Sequence, residues 1–188
     1  MIHFNRGRTG KRLVALGVAA ASLSASNAAS AATQGSTGAT STGTVTITAS
    51  VPSRTRITGL SDVTFANQDP TTAASSAQSV CVWSNTATKG YTVTATGDGA
   101  SNAFTLSNGS KTVAYSVAWN ASSGQTSGTA LNTGVASAGL VSSATHQTCT
   151  SGPSASASLV VGIDTANLGL MDAGSDYTGV LTLVVTPQ

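Results

Sequence analysis

A period of two constrains this chain more than any other feature. Thr44, Val45, Thr46, Ile47, Thr48, Ala49, Ser50 and Val51 alternate polar and apolar side chains without a break. Successive residues of a strand point to opposite faces, so Val45, Ile47, Ala49 and Val51 share one face. Pro52, which has no backbone N–H, ends the pattern. The same alternation returns in Tyr91-Thr92-Val93-Thr94-Ala95-Thr96, and in Val113, Tyr115, Val117 and Trp119 of a strand expected over 111–119. Ala155, Ala157, Leu159, Val161 and Ile163 repeat it. A strand over 78–84 would turn Cys81 and Trp83 to one face and Val80 and Val82 to the other. Weaker strands are expected at 54–58, 62–66 and 103–107, with a polar loop over 67–77. Asn108-Gly109 is a hairpin signal. From Val180 to Val185 the chain is almost continuously apolar, which predicts, within 177–187, a strand buried on both faces. Periodicity places no strand in 120–143. Short strands with turn signals about every ten residues read as an all-β sandwich.

Composition supports this. Glu is absent, Lys and Arg together number 8, and Thr, Val, Ser and Gly abound, a balance that favours strands and turns. Only 7% of residues are charged, but 40% are hydrophobic and arranged in patterned runs, unlike a disordered chain. Arg6, Arg8, Lys11 and Arg12 precede the apolar run 13–25 and the small-residue site Ala29-Ser30-Ala31. This is the pattern of a secretory signal over 1–31. A flexible leader, 32–42, follows. Beyond the signal remain Arg54, Arg56, Lys89 and Lys111 against six aspartates, a net charge of 4 − 6 = −2. Without a clustered basic face, nucleic acid is not an expected partner. Cys81 and Cys149, an even pair in an exported chain, are expected to form a disulfide.

No constellation for catalysis emerges. His146, the only imidazole after the signal, lies three residues before Cys149 and reads as an exposed loop residue. Asp172 and Asp176 bracket a turn, where Asp commonly bonds to local backbone. There is no Cys-x-x-Cys, no phosphate loop and no calcium loop, so no metal, cofactor or catalytic residue is assigned. Trp83 and Trp119 could stack on sugar, but their alternating strands favour the core.

Two segments carry a resemblance. Val45-Thr46-Ile47-Thr48-Ala49-Ser50-Val51-Pro52 resembles the start of mature pilin subunits of the alternate chaperone–usher class, the colonisation-factor type. Ala173-Gly174-Ser175-Asp176-Tyr177-Thr178-Gly179-Val180-Leu181-Thr182-Leu183 resembles the closing strand of the same pilins and of spore-coat-U-like archaic pilins. Val80-Cys81-Val82-Trp83-Ser84-Asn85 and Gly90-Tyr91-Thr92-Val93 are similar to their middle region. The resemblance implies an incomplete immunoglobulin-like β-sandwich over 53–188. Donor-strand exchange would complete it: first a periplasmic chaperone lends a strand, then, at an outer-membrane usher, the arm of an identical or related subunit replaces it. It implies export through the periplasm to a pilus on the cell surface, for adhesion or biofilm formation.

The residues reach a similar place by themselves. The amphipathic strand within 43–52 lies between a flexible leader and a proline. The apolar strand at 177–187 has no later segment to cover its edge, and an exposed apolar edge invites pairing with another chain. Val45, Ile47, Ala49 and Val51 are therefore the expected donor side chains. Gly179, Leu181, Leu183 and Val185 share a face expected to line the acceptor groove, with Gly179 leaving room for an incoming side chain. Two readings compete: 44–51 pairing within its own sandwich, and a monomeric secreted β-sandwich binding module, for carbohydrate as an example.

Overall fold

The computed structural model describes residues 31–188, so the signal expected at 1–31 lies, but for its last residue, outside the described residues. Contacts divide the chain into two units, up to Ser50 and from Val51 onward. In the first, Thr33 and Thr44 exchange two backbone hydrogen bonds of 3.0 Å, so the ends of the leader meet. Residues 45–50 belong to no strand.

The second unit is built from ten strands: β1 (Thr55–Thr58), β2 (Ala74–Ser84), β3 (Gly90–Gly97), β4 (Thr105–Ser107), β5 (Thr112–Ala114), β6 (Ser116–Asn120), β7 (Thr129–Ala130), β8 (Leu140–Val141), β9 (Ala157–Ile163) and β10 (Leu181–Pro187). One sheet has the order β1-β2-β9-β6-β7 and a second the order β10-β3-β8, while β4 and β5 form a hairpin. Every pairing is antiparallel. The all-β expectation is met. The only α-helix among the described residues is one turn, α1 (Thr165–Leu168), with Asp164 as N-cap accepting from the Asn167 N–H at 2.7 Å. This bond holds the Asp164 carboxyl below its ordinary pKa.

The core lies between the two larger sheets. Val80 and Val82 of β2 meet Tyr91, Val93 and Ala95 of β3, Val117 and Trp119 of β6, and Leu159, Val161 and Ile163 of β9. Trp119 Nε1–H donates to the Tyr91 hydroxyl at 3.3 Å, giving a buried indole the partner it needs. Burial raises the Tyr91 pKa, against the opposing pull of that bond. On the other face of β2, Cys81 is joined to Cys149 across a Cα–Cα distance of 5.9 Å, beside Ala144 and the half-buried Trp83. The expected disulfide is present. His146 is exposed in the same loop, its Nδ1 2.9 Å from the Thr148 hydroxyl.

Several expectations need correction. β2 begins at Ala74, so residues 74–77, expected in a loop, pair with Val160–Ile163 of β9. The strand expected over 111–119 is broken: Val113, Tyr115, Val117 and Trp119 are all buried, but β5 pairs with β4 and β6 with β9. Residues 62–66 enter no ladder. The strand buried on both faces is β9, in mid-sheet, where Ala157–Val161 are all buried. β10 is instead an edge strand with a true alternation: Leu181, Leu183 and Val185 turn inward, while Val184 is 52% exposed. An edge position with nothing over its outer face explains the difference.

Candidate functional site: a groove beside the free edge of β10

β10 pairs with β3 along one edge, from Leu181 opposite Gly97 to Pro187 opposite Tyr91. No described strand pairs with its other edge. Near its end that edge is approached by β1, whose Thr55 hydroxyl donates to the Val185 carbonyl at 3.0 Å. Toward the start of β10 the same edge borders a groove of about 1380 Å³. One wall is the extended segment 60–68, the other the segment 171–181 with Leu183, and Leu159, Val161 and Ile163 of β9 lie beneath.

The 60–68 wall shows how this sequence builds a groove. Val63 and Phe65 alternate inward and pack against the core, yet no backbone ladder holds them. The anchor is one side chain: Gln78 Oε1 accepts from the Ser61 N–H at 2.8 Å and its Nε2 donates to the Ser61 carbonyl at 3.0 Å. The amide stands in for a paired backbone unit. The opposite wall is tied back at Thr178, which exchanges hydrogen bonds of 2.8 and 2.9 Å with the Ser107 backbone, and at the Lys111–Asp172 ion pair. That bond to Asp172 raises the Lys111 pKa. The Tyr115 hydroxyl is a polar orphan. Tyr115 is buried and lines the groove, but its oxygen finds no hydrogen-bond partner among the described residues. Burial, then the charge of Asp98, raises its pKa. An unpaired buried hydroxyl costs free energy that a visiting polar group would recover.

Leu181 and Leu183 line the groove, and Val185 packs on the core beyond its lining. Gly179 also lines it, but the direction a side chain would take there is filled: a Cβ would stand 2.7 Å from the Thr105 carbonyl oxygen and 3.1 Å from Leu106 Cδ2. The glycine lets β4 approach the wall, so it leaves no room for a visitor on that side. Gly179→Leu is therefore expected to destabilise the subunit itself by about 1–3 kcal/mol, by overpacking. Thermal denaturation of the purified variant checks this; an unchanged midpoint would contradict it. The expected donor residues are all outside strands. Val45, Ile47 and Val51 are 73%, 87% and 83% exposed, and Ala49 is exposed with them. The 60–68 wall, its Gln78 anchor and Tyr115 were not foreseen from sequence. The alternation of Val63 and Phe65 was the one available signal.

No group of three or more His, Cys, Asp or Glu among the described residues could hold a metal, and no described helix is long and apolar enough to cross a membrane. Comparison with known proteins adds no assignment. No protein-family model, curated protein or solved structure matches this chain.

Proposed function

We propose that the protein is a structural subunit of a surface pilus assembled by donor-strand exchange. The observation that carries this reading is the pairing of an unfilled groove with an unpaired apolar arm in one chain. An immunoglobulin-type sandwich places strands A, B, E and D in one sheet and C, F and G in the other. Taken in chain order, β1, β2, β3, β6, β9 and β10 fit places A to F. The order β1-β2-β9-β6 corresponds to A-B-E-D, and the β3-β10 pair to C-F. Place G would lie on the free edge of β10, where the groove is. The arm 44–51 has the alternation such a strand needs, and at eight residues it would span about 27 Å. In this reading no reaction is catalysed. The partners are identical or related subunits, a periplasmic chaperone that fills the groove during export, and an outer-membrane usher where the arm takes its place. The destination is a fibre on the cell surface, serving adhesion or biofilm formation.

The test is the assembly state of the exported protein. It should form polymers, seen by size exclusion, and a synthetic peptide of residues 43–52 in excess should stop their growth by occupying the groove. A stable monomer that neither polymerises nor binds the peptide would overturn the proposal in favour of a monomeric binding module.

A further inference from the structure

The charges of the sandwich are sorted between its two ends. Arg54 precedes β1, Arg56 is its second residue, and Lys89 precedes β3. These positions converge at one end. Asn85 bonds the Arg54 backbone on both sides, at 2.6 and 3.1 Å, the Ser84 hydroxyl donates to the Gly90 carbonyl, and Gln188 N–H donates to Gly90 as well. The arm enters the sandwich there, held by Asn85 Nδ2–H on the Pro52 carbonyl at 2.9 Å. All six aspartates lie toward the other end. Asp62, Asp172 and Asp176 line the groove, Asp98 follows β3, Asp69 precedes β2, and Asp164 follows β9. Among the described residues only Lys111 is basic at this end, and it is paired with Asp172.

The arm carries no charge from residue 31 to Val51. The first charges met after it are Arg54 and Arg56, three and five residues beyond its last inward side chain. A strand laid in a groove up to Val51 would therefore bring these arginines to the groove's mouth, about 10 Å further on. The groove's own charged lining there is aspartate. The Tyr115 hydroxyl, which lines the groove without a hydrogen-bond partner among the described residues, would be free to pair with a polar atom of the incoming copy. We infer that the Arg54, Arg56 and Lys89 end of one copy docks on the Asp62, Asp98 and Asp176 mouth of the next copy, steering and orienting head-to-tail assembly. This rests on the donor-strand reading and adds to it a charged contact outside the strand. The complementarity acts on encounter rate and on rejection of head-to-head approach more than on final affinity.

The experiment follows polymer growth of the exported chain by light scattering from about 0.01 to about 1 M salt, over which the screening length falls from about 30 to about 3 Å. Growth should slow steeply with salt. Arg54→Glu with Arg56→Glu should slow it about tenfold or more at low salt, as should Asp62→Lys with Asp176→Lys. The chain carrying all four substitutions should recover most of the rate, which a merely misfolded variant would not do. None of these four side chains makes a hydrogen bond to another described residue, so the fold should tolerate the exchanges. Growth independent of salt and unaffected by either reversal, yet still stopped by the 43–52 peptide, would overturn the docking inference and leave strand exchange standing. A parent chain that never polymerises and does not bind the peptide would remove both.

Discussion

Ile47→Asp should abolish the proposed polymer formation, while Thr46→Asp on the opposite face should leave most of it. Ile47 is 87% exposed with no strand around it, so the carboxylate costs the isolated subunit little. The penalty should appear only when the arm enters an apolar groove floored by Leu159, Val161 and Ile163, where an unpaired charge costs several kcal/mol. Burying Val45, Ile47, Ala49 and Val51 would contribute on the order of 5 kcal/mol gross. Each ladder bond to β10 adds about 0.5–1.5 kcal/mol. Together these rival the stability of a whole domain, so loss of one inward side chain to a charge is decisive. Deletion of 43–51 should also give a chain that cannot polymerise, and a 43–52 peptide should convert it to a stable complemented monomer. Melting with and without peptide is the measurement. A deletion variant as stable alone as with peptide would show that the groove needs no strand.

Removing the disulfide should have the second largest effect. Cys81 and Cys149 are 68 residues apart, and closing a loop of that length constrains the unfolded chain by about 4 kcal/mol in the entropic account. Cys81→Ala with Cys149→Ala should lower stability by about that amount in urea titration, a large share of a typical 5–15 kcal/mol. Trp83, which packs on the bridge, should report it by fluorescence distinctly from Trp119 in the main core. A loss below about 1 kcal/mol would show that the buried serines of this region hold the loop by themselves.

Those serines explain much of what the sequence concealed. β9 begins at Ala157, opposite Val80, while β2 runs on to Ser84. Beyond that point the Ser156 hydroxyl takes over the ladder, accepting from Val82 N–H and donating to the Val82 carbonyl, both at 2.8 Å. Ser158, fully buried, bonds instead to Ser122 and Gln125 of the covering loop. A polar residue with all its partners inside the protein looks, by type alone, like a surface residue. Hence β9 read as one more alternating strand, and the apolar run in β10 read as buried on both faces. Where side chains were apolar and the face unambiguous, as in Tyr91, Val93 and Ala95 or in Val113 to Trp119, the core was legible. The alternation of 44–51 was equally plain, although residues 45–50 belong to no strand. The groove was only half legible: Leu181 and Leu183 follow from alternation, but the Gln78 anchor of Ser61 and the Tyr115 hydroxyl depend on contacts between distant segments. The resemblance to pilins stays a resemblance in sequence.

The clamp of Asn85 on Pro52 and Arg54 has a mechanical meaning if the arm is anchored in a neighbour. Tension along such a fibre would enter the sandwich at Arg54 and run down the axis of β1. β1 is antiparallel to β2 from Thr55 opposite Ser84 to Thr58 opposite Cys81, so its rungs would be loaded together in shear and not opened one at a time. The last rung falls on Cys81, whose covalent bridge to Cys149 lies directly behind it. Force would thus meet the hydrogen bonds of β1 in parallel, on a partner strand that is itself covalently tied to the loop carrying Cys149.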